Sequence, residues 1–323
     1  MSRVQPLLSI ICPTYNQGKF IAQTLESFIM QKTEYPFEII VHDDASTDDT
    51  AAIVRQYEEK YPELFANIYQ TENQFSKGIL NVTFITFAAA KGKYLALCEG
   101  DDYWIDPLKI QKQVSFLEAH PDYTISFHEV YQLQPGKEPE LFPMGTQPAT
   151  YTLEDLAERG NFIHTVSTIF RHSFREFPEW FSKSPVGDYP LHMLNASRGK
   201  VYYMPDAMAV YRRSIGIYGT LSALKQNYDW YRTLGLLLGH FHEEKIHGLL
   251  RKNQARSLLY MYNNGGEDQL KELDPRLKDV LDLVTIRTAD QLSTFPVRLL
   301  SNGLRRKLIL NLRHKISGWV RKR

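Results

Sequence analysis

Two pairs of neighbouring aspartates close the segments His42-Asp43-Asp44 and Glu99-Gly100-Asp101-Asp102, which follow short apolar and β-branched runs, Phe37 to Val41 and Tyr94 to Cys98. A third polar cluster, Pro13-Thr14-Tyr15-Asn16, follows the run Leu8 to Cys12. Ligands of an open α/β sheet bind at the carboxyl ends of its strands, so chemistry is expected at these positions. Adjacent carboxylates at the end of a buried strand repel each other, and a divalent cation or an arginine is the usual compensation. Mg2+ or Mn2+ suits such a place, because either takes one or two carboxylates and completes its shell with substrate phosphates. Asp101-Asp102 fits that role, and the alternative is a solvated turn ahead of a helix at Pro107. Asp43-Asp44 could accept hydrogen bonds from a base or ribose, or cap the next helix. Neither G-x-G-x-x-G nor G-x-x-x-x-G-K-[ST] follows any of these runs, which speaks against a dinucleotide site and a P-loop.

The elements that must position these residues alternate strand and helix, the pattern of a mostly parallel sheet flanked by helices. Strands are expected at Leu8 to Cys12, Phe37 to Val41, Asn67 to Gln70 and Tyr94 to Cys98, with helices at Lys19 to Gln31 and Ile79 to Ala90. Ser46 or Thr47 is the expected cap of a further helix, with Asp48 and Asp49 in its first turn, where the macrodipole favours carboxylates. A helix from Pro107 to His120, a strand from Tyr123 to Val130 and a loop from Pro135 to Pro148 follow. Thr152 and Asp155 have capping-box spacing. Val166 to Arg171 and Lys200 to Tyr211 read as strands around a helix from Tyr189 to Ser197. Beyond Tyr218 the pattern is helical, with breaks expected near Asn263 to Gly266 and at Asp274-Pro275.

The 323 residues carry a formal net charge of +1, which argues against the basic footprint of nucleic-acid binding. That balance hides an uneven distribution, since no acid follows Asp290 whereas nine Lys and Arg residues do, from Arg298 to Arg323. Leu304, Leu308, Leu312, Ile316, Trp319 and Val320 recur there at helical spacing among the basic residues. Residues 304–323 therefore read either as an interfacial helix making peripheral contact with an anionic leaflet or as a basic helix packed on protein. The two cysteines, Cys12 and Cys98, each close an apolar run and read as small buried hydrophobes in a reducing compartment. No apolar run of about 18 residues is present to span a bilayer. A cytoplasmic location is expected, with the inner face of the plasma membrane as the place the tail would reach.

LSIICPTYNQGKFIAQTLESFIMQ (Leu8 to Gln31), FEIIVHDDASTDDT (Phe37 to Thr50) and GKYLALCEGDDYWIDPLKIQKQVSFLE (Gly92 to Glu118) resemble family 2 glycosyltransferases of the GT-A fold. A weaker continuation runs from Gly187 to Arg213. The resemblance implies an α/β, Rossmann-like GT-A domain over 1–215 and a helical C-terminal extension over 216–323. It also implies transfer of a sugar from a nucleotide-diphosphate donor, a UDP-sugar, to a saccharide or lipid-linked hydroxyl in surface-polysaccharide assembly. Carried over by position, Pro13, Thr14 and Tyr15 would lie against the base and Asp44 would hydrogen-bond to it, with Asp43 behind. Asp101 would face ribose and diphosphate, Asp102 would hold Mg2+ or Mn2+, Asp188 would be the catalytic base, and Arg212 or Arg213 would close over the diphosphate. A single base and direct displacement imply inversion at the transferred carbon. Glu99 stands where the family often has Asp, Ala45 where Gly is usual, and Gly187 where an acid commonly precedes the base.

Three further residues are candidate sugar or acceptor contacts, each with a plainer alternative. Glu99 could touch the donor sugar or support the start of a helix, Trp104 could wall a sugar or fill the core, and His164 could line the acceptor side or be an ordinary semi-buried histidine. His128 and His192 lack a zinc-like spacing. A nucleotidyltransferase would share an acidic metal site but needs basic residues near strand one, where only Lys19 occurs between Arg3 and Lys32. A sugar-nucleotide-binding or scaffolding subunit is the remaining reading, against which the intact acids speak.

Overall fold

Residues Leu8–Thr14 form β1, which pairs in parallel with β2 (Phe37–Asp43) on one side and β4 (Tyr94–Leu97) on the other. The computed structural model describes residues 5–78, 81–142, 149–174, 176–213 and 220–274. Their strands make one mixed sheet of order β3-β2-β1-β4-β9-β6-β10-β5, with β3 at Ile68–Tyr69, β5 at Tyr103–Trp104, β6 at Tyr123–Leu133, β9 at Ile169–Arg171 and β10 at Lys200–Arg212. β7 (Glu140–Phe142) adds to β6 and β8 (Thr150–Tyr151) to β10. β3, β2, β1, β4, β6 and β10 share one direction, while β5, β7, β8 and β9 oppose their neighbours.

β1 and β2 are apolar on both faces because helices cover both faces. Successive side chains alternate across a strand, and the packing follows that alternation. Ile10, Cys12, Ile39, Val41 and Ala96 meet Ile21, Leu25 and Phe28 of α1 (Ile21–Ile29), Val54 of α2 (Thr50–Lys60) and Ile110, Val114 and Leu117 of α4 (Lys109–Ala119). On the opposite face Ile11, Ile40 and Leu95 join Phe87 of α3 (Asn81–Ala89), Leu156 of α5 (Leu153–Arg159), and Tyr189 and Met193 of α6 (Asp188–Ala196). Leu234, Leu237, Ile246 and Leu250, from helices Ala223–Leu238 and Glu244–Leu273, belong to this second cluster. Cys12 and Cys98 are free thiols, fully buried among these residues. Their pKa values are raised, by burial first and nearby charges second, so they remain protonated apolar fillers.

Several local expectations change. The helix after β2 starts at Thr50, later than a Ser46 or Thr47 cap would set it. The Ser46 hydroxyl instead accepts from the Asn16 amide, and Asp48 accepts from the Gly18 and Thr50 amides, tying the two loops together. The loop expected from Pro135 to Pro148 contains β7, and the strand expected from Val166 begins with a 3-10 turn at Thr165–Ser167. No break falls at Asn263 to Gly266, since the helix runs from Glu244 to Leu273. Glycine weakens a helix interior by about 1 kcal/mol without ending it. The Thr152–Asp155 capping box is formed.

The chain divides after Ser257, and the sheet and all residues of the site below belong to Met1–Ser257. Residues 304–323, with their basic amphipathic pattern, lie outside the described residues. Among the described residues no helix is long and apolar enough to cross a membrane.

Candidate active site

The carboxyl ends of β1, β2 and β4 meet in a network of backbone hydrogen bonds. The Asp44 amide donates to the Thr14 carbonyl at 3.0 Å, and the Gly100 amide donates to the Pro13 carbonyl at 3.0 Å. Thr24 of α1 lies behind, its hydroxyl shared between the carbonyls of Gly100 at 2.9 Å and Asp102 at 2.6 Å. Only glycine fits at position 100, because a Cβ there would come within 2.7 Å of Thr14 Oγ1 and 2.5 Å of Gln17 Oε1. The acidic loop Glu99-Gly100-Asp101-Asp102 is thus fixed by neighbours on β1 and α1.

Within that loop the three acids occupy different environments. Glu99 is exposed to solvent. Asp101 is 5% exposed and hydrogen-bonded to Gln17. Asp102 is 1% exposed, and its Oδ1 accepts from the Arg212 amide at 2.8 Å. Burial raises the carboxyl pKa of Asp101 and Asp102, and the charges of Glu99 and Asp101 add to that of Asp102. The carboxyl of Glu99 is raised as well, with the charges of Asp101 and Asp188 among the causes. Among the described residues no three His, Cys, Asp or Glu side chains form a preassembled metal cage. The donor set still fits a hard cation that draws most of its shell from a diphosphate, since closely spaced carboxylates are the ligands such an ion prefers.

Arg212 sits differently from the expectation that it closes over a diphosphate. Its guanidinium donates to the Asp101 carbonyl and to Gln23, lies over the rings of Phe20 and Tyr103 at 4.9 and 4.6 Å, and is only 7% exposed. It braces the acidic loop from inside the protein. Arg213 is exposed and donates to Gln132. Trp104 is corrected to a core residue. It is 1% exposed, packs on Phe28 at 4.7 Å, donates through Nε1 to the Val166 carbonyl and carries the Lys109 ammonium over its ring at 4.2 Å, so no face is left for a sugar.

On the β1 and β2 side, Pro13 is half-buried, Thr14 is buried with its hydroxyl donated to Gln17, and Tyr15 is 39% exposed. Asp43 and Asp44 are both buried, and the Ser46 amide donates to Asp43 Oδ2 at 3.3 Å. Both oxygens of Asp44 are occupied, accepting from the amides of Gln74 at 2.7 Å and Phe75 at 3.0 Å, whereas Asp43 Oδ1 is buried without a partner.

Across the sheet, Asp188 opens α6 and is partly exposed. His164 is partly exposed and flanked by the rings of Phe142 and Tyr211, with Nε2 3.3 Å from Gln132. Burial lowers its pKa to about 4 against the opposing pull of Asp188, so it is neutral near pH 7. Tyr211 links the two halves. Its phenol is pushed up to about 12 by burial and then by the charges of Glu99, Asp102, Asp101 and Asp188. Sequence reasoning missed Gln17, Thr24, Asn161 and Tyr211, because ordinary polar and aromatic residues in loops and helices give no spacing signal.

Residues 9–177, more than half of the chain, match the description glycosyl transferase family 2. The chain belongs to that family. An uncharacterized protein of Mycobacterium tuberculosis is 40% identical over 209 residues, covering 64% of this chain and 58% of the relative. The chain therefore spans less than two thirds of that relative's length. The Escherichia coli UDP-Glc:alpha-D-GlcNAc-diphosphoundecaprenol beta-1,3-glucosyltransferase WfaP is 37% identical over 113 residues, 35% of this chain and 42% of that one. The crystal structure of S. aureus TarS 1-349 in complex with UDP superposes with a TM-score of 0.57 at 20% identity, covering 86% of this chain and 78% of that one. The sheet and its covering helices are accordingly the GT-A fold of this glycosyltransferase family.

Proposed function

We propose that this family 2 glycosyltransferase moves one sugar from a nucleoside-diphosphate donor, a UDP-sugar, to an acceptor hydroxyl with inversion. The observation that carries the reading is the acidic loop Glu99-Gly100-Asp101-Asp102, held at the carboxyl end of β4 by the Pro13 carbonyl and the Thr24 hydroxyl. Asp188, at the start of α6 and partly exposed, would supply the acid on the acceptor side. Tyr15, the exposed aromatic at the end of β1, would stack on the base. The unpartnered Asp43 Oδ1 offers an acceptor to a donor group of the nucleotide, while Asp44 holds the 74–75 loop. Asp101 and Glu99 would hold the divalent cation in place of Asp102, whose Oδ1 is committed to the Arg212 amide. A cation bound there would neutralise the departing diphosphate. Asp188 would take the acceptor proton during attack, a role that typically contributes about 10²- to 10⁴-fold. The UDP and diphosphoundecaprenol in the names of the fold neighbour and the E. coli relative support the choice of donor and of a lipid-linked saccharide acceptor. Residues 304–323 would bring the protein to an anionic leaflet where such an acceptor resides.

A thermal-shift screen of UDP, GDP, CMP and dTDP with and without Mn2+ tests this on the wild type and on Asp101→Asn and Asp102→Asn. The expected result is stabilisation by UDP that needs Mn2+, is lost in Asp101→Asn and is partly kept in Asp102→Asn. No metal-dependent shift with any nucleotide would overturn the transferase reading.

A further inference from the structure

Asp188 gains its orientation from a residue 27 positions earlier in the chain. Its Oδ2 accepts from Asn161 Nδ2 at 2.7 Å, and its Oδ1 accepts from the Tyr189 amide at 2.7 Å. Asn161 stands immediately after Gly160, which ends α5 in the left-handed region at φ 80° and turns the chain toward α6. A carboxylate can only accept, so the amide nitrogen of Asn161 must face Asp188 and its Oδ1 must face away. That Oδ1 lies 3.4 Å from His192 Nδ1. Residues four apart share a helix face, so His192 lies one turn along α6 on the side of Asp188. His192 is fully buried and its Nε2 has no partner, which leaves the proton of the neutral ring on Nδ1, donated to Asn161. Burial keeps the ring neutral, with the pKa drawn down to about 4.

We propose that Asn161 positions the carboxylate of Asp188 for proton abstraction and that His192 fixes the amide of Asn161, so that the three side chains act as one orienting relay. This rests on the reading of Asp188 as the base. One lone pair on each Asp188 oxygen is spent on orientation, and the others remain for an acceptor hydroxyl. The Asn161 side chain is exposed, but its removal leaves the buried His192 Nδ1 without a partner, which lowers stability. Its removal is therefore expected to slow the reaction step and to lower the melting temperature somewhat, with the fold and donor binding kept.

The test compares wild type, Asn161→Ala, His192→Phe and Asp188→Asn, with UDP-glucose and Mn2+ as the probe and water as acceptor. UDP release gives kcat and KM, thermal melting reports folding, and imidazole ¹⁵N shifts report the His192 tautomer. Asn161→Ala should lower kcat roughly 10- to 100-fold, the scale of a misplaced reacting group, with KM and Mn2+-dependent UDP binding unchanged and a single cooperative melt kept at a somewhat lower temperature. The ¹⁵N shifts of His192 should show an Nδ1-protonated neutral ring in the wild type and a mixture of tautomers in Asn161→Ala. A wild-type kcat in Asn161→Ala, with Asp188→Asn inactive, would overturn the relay and leave the base assignment standing. Wild-type turnover by Asp188→Asn would remove both.

Discussion

Lys109 is fully buried, with one hydrogen bond to Gln113 at 2.8 Å and the Trp104 ring beneath its ammonium. Desolvation lowers its pKa to about 7, with Cys98 opposing weakly. The folded-state pKa lies below the unfolded value, so the unfolded chain binds more protons between about pH 7 and 10 and stability rises with pH across that window. Lys109→Met should flatten this slope, checked by melting temperatures from pH 7 to 9.5. Equal slopes in both proteins would show that the amine is solvated. Asp43 and Asp44 pose a second question at this scale. A buried acceptor without a partner calls for an explanation, and the proposed nucleotide contact would supply one for Asp43 Oδ1. Asp43→Ala should weaken UDP binding about tenfold, roughly 1.4 kcal/mol, by titration calorimetry. Asp44→Ala should chiefly lower stability, because it releases the Gln74 and Phe75 amides.

The strand-to-helix loops concentrate the backbone demands of the fold. Ala45 adopts φ 61°, a left-handed conformation that a Cβ disfavours and glycine accepts freely. Asn16 does the same at φ 52° on the facing loop, where an Asn side chain eases the cost; its Oδ1 accepts from the Thr47 amide. The two loops hold one another through Asn16–Ser46 and Gly18–Asp48 contacts, so the conformation of Ala45 is imposed from both sides. Ala45→Gly should stabilise the protein by about 1 kcal/mol, which for a domain of this size raises the melting temperature by about 2 °C. No gain would mean that the loop relaxes around alanine without strain.

For the whole molecule, the uneven charge becomes a question of place. The acids of the site lie on Met1–Ser257, and the basic residues after Asp290 have no acidic neighbours in sequence. An anionic leaflet attracts such a segment by about 1 kcal/mol per basic residue near its surface. Cosedimentation with vesicles of phosphatidylglycerol should therefore capture the full chain at low salt and release it in 0.5 M NaCl. A chain ending before residue 304 should stay in the supernatant and still show the Mn2+-dependent UDP shift. Equal cosedimentation of both chains would remove the tail from the account of membrane contact.

The sequence by itself determined the sheet's central strands and which loops carry acids. Apolar runs that end in Pro13-Thr14-Tyr15, His42-Asp43-Asp44 and Glu99-Gly100-Asp101-Asp102 leave little choice about where strands stop and polar chemistry begins, and hydrophobic periodicity records local structure directly. The direction each acid faces was not legible, because orientation depends on partners far away in the chain. Asp102 turns inward toward the Arg212 amide 110 residues on, and Asp44 is engaged by amides 30 and 31 residues away. Trp104 read equally well as a sugar wall or as core until Phe28, Val166 and Lys109 closed around it. Asn161 gave no signal, since an isolated asparagine after a glycine acquires meaning only when α6 brings Asp188 to it. Residue type and strand period fix which groups are available, and long-range packing and hydrogen bonding decide which of their atoms remain free to act.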